Sequence, residues 1–108
     1  MIISTGLASF DEVKETVDFL RKENKLYEGS KNLAILQCTS MYPIEDEDAN
    51  LEVISLYKDK LDVVVGYSDH TQGTEAVEVA FMLGAEILEM HFTDTRDCLL
   101  YTSDAADE

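Results

Sequence analysis

The sequence has no tryptophan, one proline, five glycines and two cysteines, and only 8 of its 108 residues are lysine or arginine. Each scarcity excludes something. So little proline and glycine rules out collagen-like and Pro/Gly-rich disordered chains. Cys38 and Cys98 are too few for the disulfide framework of a small secreted scaffold. No apolar run approaches the roughly 20 residues of a membrane span. The start, Met1-Ile2-Ile3-Ser4-Thr5-Gly6, lacks the basic stretch and apolar core of a signal peptide. Against the 8 basic residues stand 23 acidic ones, for a net charge of −15. Such a surface repels phosphate backbones and anionic lipid, which argues against nucleic-acid and membrane-surface partners. A cytoplasmic protein is expected.

What is present is enough apolar sequence, 45% of the residues, to build a packed core. Four short apolar runs punctuate the chain: Ile2-Ile3, Leu33-Ala34-Ile35-Leu36, Val63-Val64-Val65, and Ile87-Leu88 leading to Met90 and Phe92. The middle two are continuous rather than alternating, as in parallel strands covered on both faces. Helical patterns lie between them. Ser9 and Glu12 have capping-box spacing, after which Val13, Val17 and Leu20 share one face. Residues 25–32 form a polar connection. A second helix is expected from near Asn50, with Val53, Ile54, Tyr57 and Leu61 buried. A third is expected over 74–83, with Ala76, Val77, Ala80 and Phe81 inward and Gly84 as its stop. The order is βαβαβαβ, an α/β chain with a parallel sheet and right-handed crossovers. Half of a (β/α) barrel and a small doubly wound sheet both fit that order.

Each apolar run ends in polar, chemically capable residues: Ser4-Thr5-Gly6; Gln37-Cys38-Thr39-Ser40 with Tyr42-Pro43; Gly66-Tyr67-Ser68-Asp69-His70-Thr71; and Glu89, His91 and Thr93. Ligands bind at the carboxyl ends of parallel strands because the loops converge there. His70 and His91, the only histidines, follow strands that should be neighbours. Two neutral imidazoles suit a divalent transition metal and leave the rest of its coordination sphere open. Two unrelated histidines bonded to backbone fit as well. Glu89 lies on the same side of its strand as His91 and reads as a base, a ligand-orienting group or half of an ion pair. Cys38 has no histidine near it in sequence and reads as a small buried filler rather than a nucleophile. The acidic run Glu45-Asp46-Glu47-Asp48 lacks the spaced carbonyl ligands of a calcium loop and reads as a solvated helix entry. Gly66, Gly73 and Gly84 form no dinucleotide fingerprint.

Several segments resemble the N-acetylneuraminate (sialic acid) synthase family. They are Ile3-Ser4-Thr5-Gly6 with Ala8-Ser9, Gln37-Cys38-Thr39-Ser40-Met41-Tyr42-Pro43, Glu47-Asp48-Ala49-Asn50-Leu51, Gly66-Tyr67-Ser68-Asp69-His70-Thr71, Leu83-Gly84-Ala85 and Glu89-Met90-His91-Phe92-Thr93. They run in order from residue 1 to about Arg96. The resemblance implies strands five to eight of a (β/α)8 TIM barrel, usually followed by a small antifreeze-like domain in a domain-swapped homodimer. It implies condensation of phosphoenolpyruvate with an N-acylhexosamine such as N-acetylmannosamine. Carbon 3 of phosphoenolpyruvate attacks the open-chain aldehyde, water adds at carbon 2, and phosphate leaves. It assigns His70 and His91 to a divalent metal, Mn²⁺ or Mg²⁺, which polarises the aldehyde oxygen. It also assigns Ser4, Ser40 and Ser68, with Thr39 adjacent, to phosphoenolpyruvate, Tyr42 to the sugar, and Glu89 to a catalytic role.

The family's phosphate-binding lysines, and a Glu and an Asn near sugar and metal, belong to strands that precede those recognised here. The chain by itself is therefore expected to be nearly inactive and to bind phosphoenolpyruvate weakly. Residues 98–108 resemble a translated sequencing adapter. The expected division is a partial barrel over 1–97, a non-native tail over 98–108, and Met1 as an internal methionine of a longer protein. Two other readings stand beside this one: another phosphoenolpyruvate-condensing barrel that makes a different ulosonic acid, and a small acidic metal-binding or interaction domain without catalysis.

Overall fold

A computed structural model describes residues 1–92; Thr93, Arg96 and the expected tail at 98–108 lie outside the described residues. The chain runs β1 (Ile2–Ser4), α1 (Phe10–Glu23), β2 (Ala34–Cys38), α2 (Glu52–Lys60), β3 (Val64–Asp69), α3 (Glu75–Met82) and β4 (Ile87–Met90). Short 3₁₀ turns at Lys25–Tyr27, Ser30–Asn32 and Asp46–Ala49 fill two of the connections.

The four strands are all parallel and lie in the order β1-β2-β3-β4. That order decides between the two architectures left open by the sequence. A doubly wound sheet needs a reversal of strand order to place helices on both faces. Consecutive neighbours joined by right-handed crossovers keep every helix on one face. The core agrees, since Val13 and Val17 of α1, Ile54 and Tyr57 of α2, and Ala76 and Ala80 of α3 share one cluster with Ile35, Val65 and Tyr67 of the sheet. This is the βαβαβαβ arrangement of strands five to eight in a (β/α)8 barrel.

The opposite face is layered as a barrel interior is. The register aligns Leu36, Gly66 and Ile87 in one layer and Cys38, Ser68 and Glu89 in the next. A glycine is needed at the centre of the lower layer. A Cβ on Gly66 would lie 2.5 Å from the Ile87 carbonyl oxygen and 2.5 Å from Leu36 Cδ2.

Local signals in the sequence set most element ends. The Glu12 amide donates to Ser9 Oγ at 3.3 Å, and the Ser9 amide donates to the Glu12 carboxylate at 2.8 Å, which completes the capping box. Gly84, at φ +97°, ends α3 in a conformation that L side chains rarely adopt. Three expectations shift. The second helix begins at Glu52, because Asn50 adopts φ 52° and closes the preceding 3₁₀ turn. The acidic run forms that turn, anchored by the buried Ala49. Phe81 is 66% exposed rather than inward. It lies roughly 120° round the helix from the Ala76–Ala80 stripe, too far to share its face.

Gly66→Ala is expected to lower stability by about 1–3 kcal/mol, since backbone and a packed leucine must both yield. Gly29, which has nothing within 4 Å of an added Cβ, serves as the neutral control. Urea unfolding midpoints compare the two. Ser9 holds the Glu12 carboxyl below its ordinary value of 4.5, first through its amide and then through its hydroxyl. The resulting stabilisation is present above that value and is lost as pH falls through the lower, folded one. Glu12→Gln is therefore expected to flatten the dependence of the melting temperature on pH below 4.5.

Candidate functional site

The carboxyl ends of the strands build a cleft of about 330 Å³ lined by Ser4, Gly6, Cys38, Ser40, Tyr42, Ser68, His70 and Glu89. Alternation places them there. Ser68 and His70 follow Gly66 on the inner face of β3, and Cys38 follows Leu36 on β2. Several of the polar residues expected at the strand ends lie within the strands themselves, since β2 runs to Cys38 and β3 to Asp69. They therefore inherit the rigidity and register of the sheet.

His70 is the best fixed of these groups. It is 7% exposed, and the loop after β2 holds it at three points. Its Nδ1 donates to the Thr39 carbonyl at 2.7 Å. Its Nε2 lies 2.7 Å from the Tyr42 hydroxyl. Its own carbonyl accepts the Ile44 amide at 3.1 Å. Because a carbonyl can only accept, the neutral ring carries its proton on Nδ1, and the Nε2 lone pair accepts the Tyr42 hydroxyl, which a ligand at Nε2 would have to displace. Tyr42 also stacks on His70, with centroids 3.8 Å apart, and meets His91 edge-on at 5.1 Å.

The two imidazoles are 5.8 Å apart between centroids, on adjacent strands. His91 sits in a neighbouring cavity of about 190 Å³ that shares Ser68 and Glu89 with the main cleft. The donor chemistry suits a divalent cation. One histidine has its distal nitrogen anchored on backbone, as metal-ligating histidines usually do, and a second ring lies within bridging reach. Among the described residues no third His, Cys, Asp or Glu joins them as a ligand group.

Among the described residues Glu89 forms no ion pair. Its Oε1 accepts the Ser68 hydroxyl at 2.7 Å, and the described ion pairs, Lys14–Asp18, Lys58–Glu86 and Lys60–Asp59, lie elsewhere. Ser4 and Ser40 are exposed at the rim. Thr39 does not line the main cleft. Its hydroxyl donates to the Asp48 carbonyl at 2.8 Å, so its bond into the cleft is made by its backbone carbonyl on His70. Among the described residues no lysine or arginine lines the cleft.

Two contributors escape the sequence reading. Cys38 Sγ lies 3.8 Å from His70 Nε2, a contact made across 32 residues that no local spacing could reveal. Gln37, on the opposite face, accepts from Thr5 Oγ1 at 3.4 Å and donates to the Ala49 carbonyl at 3.2 Å. Thr5 Oγ1 in turn accepts the Cys38 amide at 3.2 Å, tying the ends of β1 and β2 together.

Residues 1–106 match the family described as the NeuB family. The chain is 42% identical over 94 residues to the N-acetylneuraminate-9-phosphate synthase of Mus musculus, covering 86% of this chain and 24% of that protein. It is 39% identical over 95 residues to the N,N'-diacetyllegionaminic acid synthase of Campylobacter jejuni, covering 86% and 27%. The crystal structure of an N-acetylneuraminic acid (sialic acid) synthetase from Leptospira borgpetersenii, in complex with citrate, superposes with a TM-score of 0.75 at 38% identity. That match covers 88% of this chain and 31% of the other. The chain thus spans about a quarter of the length of the curated relatives it matches.

Proposed function

The chain belongs to the NeuB family, and on that premise we propose that it forms part of a synthase that condenses phosphoenolpyruvate with an N-acylhexosamine to give a nonulosonic acid and phosphate. The observation that carries this reading is the pair of imidazoles on adjacent strands, 5.8 Å apart, one with its tautomer set by a backbone carbonyl. His70 and His91 would hold a divalent cation, Mn²⁺ or Mg²⁺. When bound, such an ion supplies Lewis acidity toward a carbonyl oxygen.

The chain's own residues divide the remaining work. Ser4 and Ser40, exposed at the rim, offer hydroxyls to the phosphate and carboxylate of phosphoenolpyruvate, and Ser68, whose proton goes to Glu89 in this structure, could turn to them only by giving up that bond. Thr39 contributes by holding His70 in its tautomer. Tyr42, whose ring covers both histidines, lines the space for the sugar and keeps bulk water from the imidazoles. Attack by carbon 3 of phosphoenolpyruvate on the sugar aldehyde leaves carbon 2 electron-poor. Water adds there and must lose a proton. Glu89 is the carboxylate that lines the cleft, and its hydrogen bond from Ser68 fixes one oxygen while the other takes that proton.

The whole enzyme is proposed to act as a homodimer in the cytoplasm, a reducing compartment compatible with the buried thiol of Cys38. The acceptor sugar stays open among N-acetylmannosamine, the diacetamido sugars that lead to legionaminic and pseudaminic acids, and spore-coat polysaccharide precursors. Phosphoenolpyruvate is strongly anionic, and the cleft of this chain carries no cation among the described residues to receive it. The 108-residue chain is accordingly expected to bind phosphoenolpyruvate weakly and to show negligible condensation.

Calorimetric titration with manganese(II) chloride tests the site. His70→Ala and His91→Ala are each expected to lose roughly tenfold or more in affinity, about 1.4 kcal/mol. Unchanged binding in both variants would remove the basis of the reading.

A further inference from the structure

Asp69 stands outside the roles assigned above. It is 4% exposed and faces away from the cleft, on the helix-covered side of β3. A buried carboxylate is costly unless its oxygens are well supplied with donors. Here one oxygen, Oδ1, accepts three hydrogen bonds: from the Tyr67 hydroxyl at 3.0 Å, the Thr71 amide at 3.0 Å and the Thr71 hydroxyl at 2.8 Å. Tyr67 remains a donor because burial, and then the neighbouring Asp69 charge, push its phenol well above the ordinary range. Two of the three bonds reach Thr71, which is 1% exposed. The carboxylate therefore closes a tight turn across the one residue between them, His70.

That turn leaves the His70 backbone no freedom of its own. Its position is set on one side by β3, on the other by Thr71, and above by the Ile44 amide on its carbonyl. The 2.7 Å contacts of the imidazole to Thr39 and Tyr42 extend from this Cα, so its placement bears on both. We propose that Asp69 is a positioning residue. Through Thr71 it fixes the His70 backbone so that Nδ1 meets the Thr39 carbonyl and Nε2 meets the Tyr42 hydroxyl. The proposal deepens the metal-site reading and rests on it for its consequence, though not for the geometry itself.

The test uses the full chain and two variants. Asp69→Asn keeps an Oδ1 acceptor, whereas Asp69→Ala removes it. Two-bond proton–nitrogen NMR of the imidazoles, recorded without metal at mildly alkaline pH, reads the tautomer of His70, and there is only one other histidine to assign. The wild-type chain and Asp69→Asn are expected to show His70 protonated on Nδ1. Asp69→Ala is expected to show averaged tautomers while its circular dichroism stays that of the folded chain. Titration with manganese(II) chloride should then show a loss of roughly tenfold in Asp69→Ala and little change in Asp69→Asn.

A folded Asp69→Ala that keeps the Nδ1–H signature overturns the proposal, whatever manganese does. If the wild-type chain binds no manganese, the metal reading fails while the tautomer still decides the role of Asp69. If Asp69→Ala does not fold, Thr71→Val removes one of the same bonds from a side chain of similar shape and is read in the same way.

Discussion

The register of β3 between β2 and β4 is the constraint on which the rest depends. A parallel strand presents alternate side chains to opposite faces, and β3 uses both at once. Val65, Tyr67 and Asp69 turn toward the helices, while Gly66, Ser68 and His70 turn toward the cleft. A slip of one residue would bury the imidazole among helices and expose Tyr67 to the cleft. The fit of Gly66 between Leu36 and the Ile87 backbone resists such a slip, because the position opposite those groups accepts no side chain. The same glycine therefore protects the packing of the lower layer and the alignment of the polar layer above it.

The loop after β2 completes what β3 begins. It donates an amide to His70, accepts its Nδ1 proton and lays Tyr42 across it. Together these contacts select one tautomer. Charge around the cleft tells a different story. Hydroxyls, a thiol, imidazoles and one carboxylate can orient a ligand, but they do little to neutralise an anion. Among the described residues the cleft lacks a lysine or arginine with which to hold a phosphate by itself.

Much of this was legible in the sequence because the signals were local. The Ser9–Glu12 capping box, the stop at Gly84, and the continuous runs of β2 and β3 each depend on residues close together in the chain. The convergence of His70 and His91 was legible too, because adjacent parallel strands bring equivalent ends together. What escaped depended on distance. Nothing near Cys38 in sequence announces its contact with His70, and the spent hydroxyl of Thr39 requires knowing where Asp48 lies. Phe81 misled because apolar character and rough periodicity say less than angular position on a short helix. The choice between half barrel and doubly wound sheet turned on strand order, which spacing does not encode.

The central claim is that the inner-face ends of β3 and β4 form one cation site. Paramagnetic broadening of the backbone amides by substoichiometric manganese(II) tests it most directly. The account predicts broadening strongest at residues 68–71 and 90–92, extending to 39–42 and falling off toward Ala34 and Val64 at the amino-terminal ends of β2 and β3. Broadening centred instead on the acidic run at 45–48, and unchanged in His70→Ala and His91→Ala, would contradict it.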